Sequence, residues 1–233
     1  DEGNIVSVGF GSSGTDVSIL KSTNISGKVS GRTIGKKTMA NDVRILDVND
    51  TSAKRIYYSR LNGAELESSD VRYCAVNVNG EITDLILRDF TGDLYEYGII
   101  TSAKETSDDM SLSGTYTYLL NGEKRTLTTM NMTLGASYGP ARLTIEDGQL
   151  SAVRALYKIK NPDSVTLLGV TKDSDSWLFA DDCAVYLYRN STYSLLSLTE
   201  LRNNFDKYNI ICYYDKDTKD GGRIRIVTVQ EKA

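Results

Sequence analysis

Four aspartates, Asp173, Asp175, Asp181 and Asp182, flank Trp177, the single tryptophan of the chain. Paired carboxylates beside an aromatic platform are the minimal equipment of a glycosidase, with a sugar ring stacked between acid and base. The same residues also have a plainer reading. Aspartate and asparagine before a strand form turns through their own side-chain hydrogen bonds, and Asn41-Asp42 stands opposite Asp181-Asp182 in an earlier copy of the same pattern. Trp177 then packs in a core or between modules. A second candidate is Asp215-Lys-Asp-Thr-Lys-Asp-Gly-Gly222, which has the look of a calcium loop. An EF-hand needs oxygens at its first, third and fifth positions and a bidentate glutamate at the twelfth. Here Lys219 and Ile226 take the last two of those places, so the segment reads as a solvated hairpin loop.

What is missing narrows the chemistry further. Histidine is absent, and with it go the commonest general base near neutral pH and the commonest metal ligand. Three cysteines, Cys74, Cys183 and Cys212, are widely spaced without a CxxC pair, which argues against zinc and fits small buried side chains on strands. Serine and lysine are both plentiful, but no SxxK opens a helix that could carry a Ser-Lys dyad. A formal charge of −4 without a long basic run disfavours nucleic acid. No apolar stretch reaches the roughly 20 residues that a membrane helix needs. No signal-peptide pattern opens the sequence, which reads as a mature or excised form. The sequons at Asn24, Asn49, Asn131 and Asn190 mark turns expected at the surface.

The elements that must position these residues come from a repeat through the 233 residues. Asp42-Val-Arg-Ile-Leu-Asp-Val48, Tyr58-Ser-Arg-Leu61 and Val71-Arg-Tyr-Cys-Ala-Val76 align with Asp182-Cys-Ala-Val-Tyr-Leu-Tyr188, Leu198-Thr-Glu-Leu201 and Ile211-Cys-Tyr-Tyr214 at one constant offset. In that register Cys183 falls on Val43 and Cys212 on Arg72. Neither bridge partner is needed in the first copy, so no disulfide is expected; Cys183–Cys212 is the pair that would form if any did. A closing signature of turn glycine and β-formers recurs at Asn79-Gly80, Asp147-Gly148 and Gly221-Gly222, the dipeptides of tight hairpins. Openings at Gly27, Gly98 and Gly169 are evenly spaced. Three modules follow, about 24–92, 93–162 and 163–233. The segment 1–23 is the end of a preceding module or an N-terminal strand pair, Asp1–Val8 carrying the closing pattern again.

Within each module, apolar and polar residues alternate, as at Val43 and Ile45 against Arg44, the mark of strands with one buried face. Short pieces around Tyr58–Leu66 and Leu196–Phe205 have cap-like starts and fit single helical turns. Five or six strands in about 65–70 residues fit a small, nearly closed barrel, which also removes exposed edges. The fold expected is all-β, a tandem array of three related small β-barrel-like modules.

The stretch from Val43 through Glu105 and beyond resembles the β-rich repeat regions of clostridial surface proteins that carry S-layer homology domains. Ile86-Leu-Arg-Asp-Phe-Thr-Gly-Asp-Leu-Tyr-Glu-Tyr-Gly-Ile-Ile100 and Tyr138-Gly-Pro-Ala-Arg-Leu-Thr-Ile-Glu-Asp-Gly148 are the most alike. The resemblance implies a secreted Gram-positive envelope protein, anchored in the cell wall or surface layer through regions outside this chain, and carries no catalytic residues. The expectation is a non-catalytic spacer without cofactor or metal, each module burying its own core and touching only its neighbours. The alternative is a carbohydrate- or adhesion-ligand-binding module. Its residues would be those that differ between copies, Trp177, Tyr186, Tyr188 and Tyr193, and it gains on the spacer if the three tyrosines line one exposed strip.

Overall fold

A computed structural model describes residues 22–107 and 112–232; the expected strand at Asp1–Val8 lies outside them. The described chain is predominantly β-structure. The first sheet is built from β1 (Gly27–Ser30), β2 (Thr33–Ile34), β3 (Lys37–Val48), β4 (Ala53–Ile56), β5 (Glu65–Leu66), β6 (Val71–Val76) and β7 (Ile82–Arg88). Its order is β5-β1-β2-β3-β7-β6, with β4 folded back on β3. The second contains β8 (Glu96–Ser107), β9 (Leu112–Leu120), β10 (Glu123–Thr128), β11 (Gly139–Glu146) and β12 (Gln149–Ala155), in the order β10-β9-β8-β11-β12. The third contains β13 (Tyr157–Lys160), β14 (Ser164–Val165), β15 (Gly169–Lys172), β16 (Asp175–Arg189), β17 (Thr192–Leu196), β18 (Tyr208–Tyr214) and β19 (Ile224–Glu231). Its order is β13-β18-β19-β16-β15-β14, with β17 on β16. The one α-helix among the described residues, α1 (Leu198–Asn203), is capped by Ser197, whose Oγ accepts from the Glu200 amide at 3.0 Å.

The first and third sheets share one frame. β3 pairs in parallel with β7, and β16 in parallel with β19, each against the antiparallel habit of its sheet. Met39 faces Ile82 and Arg44 faces Asp84; Phe179 faces Ile224 and Ala184 faces Ile226, with the register break at the same place. Such a parallel pair needs a long crossover. In both units it is a hairpin arm (β4 or β17), a short helical turn and an antiparallel return strand (β6 or β18). The sequence alignment holds along β3 and β16 and slips after the helical turn, because the connections differ in length. Cys212 faces Val227 just as Cys74 faces Leu85. Cys212 therefore corresponds to Cys74, correcting its alignment with Arg72.

The middle sheet is built differently. It is antiparallel throughout, from β9 on β8 to β12 on β11, and lacks the parallel pair that defines the other two. The shared strand order thus joins the first and third units, and the expected third copy is a different architecture. The closing signature in the middle unit marks an ordinary hairpin at Gly148, where φ is 76°, and a hairpin glycine does not specify what it joins. β13 lies within the middle segment of the sequence reading, yet it is hydrogen-bonded to β18 of the third sheet.

Among the described residues, apolar side chains sort into four cores. Val29, Ile45, Leu61, Leu85 and Leu87 fill the first unit, and Val170, Val185, Leu201, Val227 and Val229 fill the third. The middle sheet buries Tyr116, Tyr118, Leu143 and Leu150 on one face. Its other face contributes Tyr97 and Ile99 to a core shared with Ala184, Tyr186, Tyr213 and Ile226 of the third sheet. β19 is accordingly covered on both sides, which explains its run of consecutive buried residues from Ile224 to Val229. No helix among the described residues is long and apolar enough to cross a membrane.

All three cysteines are free thiols, Cys74 and Cys212 buried and Cys183 half-buried. β19 runs between the strands of Cys183 and Cys212, holding them about two strand spacings apart, roughly 9–10 Å, beyond disulfide reach. Burial pushes the Cys212 thiol up to about 12 and raises Cys74 as well, so thiolate is scarce. The expected result is that neither reacts measurably with iodoacetamide at neutral pH in the folded protein. In denaturant without reductant three thiols should titrate; a count of one would place a bridge in the native chain.

Candidate functional site

The most elaborate polar arrangement starts from a backbone irregularity. On β19, Ile224 and Ile226 face Tyr214 and Tyr213, so Arg225 is the unopposed residue of a β-bulge. The first unit has the same bulge, with Thr83 between Ile82 and Asp84. A bulge re-aims its extra side chain, and here it turns Arg225 into the junction of the three units, with 2% of its side chain exposed. Arg225 Nη1 donates to Asp93 Oδ1 at 2.7 Å, and Nε and Nη2 donate to Asp215 Oδ2 at 2.9 and 2.7 Å. Nη2 also reaches the Thr91 carbonyl at 2.6 Å. The Tyr97 ring lies beneath the guanidinium at 4.5 Å, and its hydroxyl donates to Asp215 at 2.9 Å.

Arg60, from the short helical turn Tyr58–Leu61, grips Asp93 from the other side with two bonds of 2.8 Å. It also donates to the Thr91 and Gly221 carbonyls at 2.7 and 3.1 Å. Arg223 reaches back to the carbonyls of Arg60 and Asn62 at 2.6 and 3.2 Å. The first unit, the linker to β8, β8 itself and the third sheet are thereby tied together. Burial alone would raise the Asp93 carboxyl, but Arg60 and Arg225 outweigh it and hold the group at about 2. Asp47, fully buried on β3, completes the frame by accepting from the Phe90 and Thr91 amides at 2.9 and 2.7 Å and from the Thr91 hydroxyl at 2.5 Å. Nearly every donor is spent on a carboxylate or a carbonyl, the condition under which buried charge is tolerated.

A cleft of about 750 Å³ opens beside this seam, between Glu65, Glu67 and Asp70 of the first unit and Lys216, Lys219 and Asp220 of the third. A smaller one, about 360 Å³, runs toward Thr144 and Glu146 of the middle sheet and shares Arg88 and Asp89 with the first. Asp89 takes a left-handed backbone, φ 48°, and accepts from the Tyr95 hydroxyl at 2.5 Å; burial raises its carboxyl. Lys216 lies over the Phe90 ring at 5.3 Å, and burial lowers its ammonium. Among the described residues no three His, Cys, Asp or Glu side chains converge as a metal site.

The residues singled out in the sequence go to several places. Asp173, Asp175, Asp181 and Asp182 are all exposed, and Asp173 is a turn residue with φ 50°. Tyr186 is not available to a ligand. It is 1% exposed, and its hydroxyl accepts from the Gly122 amide at 3.1 Å, docking the β9–β10 turn onto the third sheet. Tyr193 stacks edge-on against it at 6.1 Å and lies 4.6 Å from Tyr188, both half-buried. Trp177 belongs to a separate group with Tyr214, 6.1 Å away. The three tyrosines meet, but with Tyr186 buried and the other two half-buried they form no exposed strip. The loop Asp215–Gly222 is a hairpin loop between β18 and β19 with Asp217, Lys219 and Asp220 exposed, but its ends are not solvated: Asp215 sits in the seam, and Gly221 and Gly222 are buried.

Sequence reasoning missed the seam itself. Arg223 and Arg225 alternate with Ile224 and Ile226, which reads as polar side chains facing solvent. The one available signal was the contrast between copies, since Arg225 stands where the first unit has Thr83. Compared with family models, with curated proteins and with solved structures, the chain matches none.

Proposed function

We propose that this chain is a rigid, non-catalytic structural segment of a secreted bacterial cell-surface protein, a spacer associated with the surface layer. The observation that carries the reading is the buried Arg60–Asp93–Arg225–Asp215 seam. A flexible string of modules has no use for buried ion pairs between units; inter-domain contacts are ordinarily modest and leave the domains free to move. Here the charges are desolvated and fully engaged, so a relative shift of the units would leave some of them unpaired in the interior. The shared core around Tyr186 and Ile226 supports the same conclusion for the middle and third units. Attachment to cell-wall polymer or surface-layer proteins falls to regions outside this chain, and the placement at the cell surface rests on the family resemblance.

The expected result in calorimetry is one unfolding transition for the described region, with calorimetric and van't Hoff enthalpies in agreement. Separate transitions for the first unit and the remainder would defeat the rigid-spacer reading. Antibodies raised against the folded chain should label intact cells of the source; labelling only after lysis would remove the surface assignment.

A further inference from the structure

The shared frame allows the third unit to be compared with the first, position by position, for what it adds. Arg225 and Asp215 are accounted for by the seam and Tyr186 by docking of the middle unit. A second set of additions, Trp177 and Tyr214, is half-buried against the third unit's core, yet the shared frame does not need aromatic rings there. Trp177 stands two residues before Phe179, where the first unit has Lys37 two residues before Met39; Phe179 and Met39 face Ile224 and Ile82. Tyr214 pairs with Ile224 where Val76 pairs with Ile82. The same fold is therefore completed in the first unit by a lysine and a valine.

Tyr157 extends the row. It pairs with Tyr214 on β13, the outermost strand, and is 62% exposed. The ring centroids of Tyr157 and Tyr214 are 5.4 Å apart at 32°, and those of Tyr214 and Trp177 6.1 Å apart at 47°. The three rings step across the sheet at intervals close to those of successive sugar rings in an extended polysaccharide. The outer edge of β13, the last strand of its sheet, supplies backbone donors and acceptors along the border of the row. Aromatic faces bordered by hydrogen-bonding groups match the two-sided chemistry of a pyranose, apolar C–H on its faces and hydroxyls around its rim. The chain's net charge of −4 gives a polyanion no overall attraction.

We propose that Tyr157, Tyr214 and Trp177 form a binding strip for a neutral, extended glycan, each ring stacking on one sugar face. This goes beyond the spacer reading and does not depend on it. Trp177 is the only tryptophan, so its fluorescence reports on the strip directly. Titrating the full chain with cellohexaose, and separately with chitohexaose, should give a saturable change with at least one of them at concentrations up to about 1 mM. Tyr157→Ala, at an exposed edge position, should weaken that binding about tenfold. Tyr138→Ala, at an exposed tyrosine of the middle unit (70%), should leave it unchanged. Absence of a saturable signal with both sugars, or equal affinity in the Tyr157→Ala protein, would overturn the proposal. So would sedimentation showing self-association that Tyr157→Ala abolishes, because the strip would then be covered by a second copy of the chain.

Discussion

Replacing Arg225 with alanine should lower the unfolding free energy by about 3–5 kcal/mol, the cost typical of removing one partner from a buried ion pair. Arg225 is 2% exposed and supplies Asp215 with two of its bonds and Asp93 with one. Asp93 retains Arg60 after the change, whereas Asp215 retains only the Tyr97 hydroxyl and two backbone amides. Most of the penalty therefore falls on Asp215. Adding Asp215→Asn to Arg225→Ala should recover part of the loss, since a neutral amide needs no counter-charge, and that non-additivity is the signature of direct coupling. Urea unfolding of the single and double variants measures both effects. A loss below about 1 kcal/mol for Arg225→Ala would mean that the seam is hydrated and weak. The pH dependence has a defined sign. Asp93 is held at about 2, below the unfolded value of about 3.9, so its contribution is complete above that value and is lost as the pH falls toward 2.

How much of this was legible in the sequence can be traced through particular residues. Alternation at Val43, Arg44 and Ile45 gave away β3, and the constant offset to Cys183–Val185 anticipated a strand in the same register against β19. The glycines at 80 and 148 mark turns with positive φ, 79° and 76°, because a side-chain rule dictates them locally. The middle unit could not be read in the same way. A hairpin glycine and a few β-formers recur in any antiparallel sheet, and the parallel β3–β7 pairing that distinguishes the outer units is a non-local choice. The seam was hidden for a related reason. An arginine on a strand is exposed or buried according to its face, and a bulge, which the sequence does not announce, switches that face at Arg225. Tyr157 and Tyr214 are far apart in the chain and meet only when β13 crosses from the end of the middle unit to pair with β18.

Substituting alanine at Gly222 should cost about 3 kcal/mol, the upper part of the range for forcing an extra carbon into a packed site. A Cβ built there would lie 1.8 Å from the Lys216 carbonyl oxygen, a backbone atom that cannot swing aside. Relief requires the loop Asp215–Gly222 to open, and that loop is tied at both ends of its turn. Asp215 Oδ1 accepts from the Arg223 amide at 2.8 Å, just as Asn77 Oδ1 accepts from the Glu81 amide at 3.0 Å in the shorter turn of the first unit. Opening the longer loop would draw Asp215 away from Arg225 and Tyr97, so the local clash and the loss from the seam arrive together. Gly80→Ala provides the contrast. Nothing lies within 4 Å of a Cβ at Gly80, and its left-handed backbone alone sets the cost, about 1 kcal/mol. In thermal melts the Gly222→Ala protein should therefore fall well below Gly80→Ala. Equal melting temperatures for the two variants would show that the loop yields without strain and that its packing against the first unit contributes little.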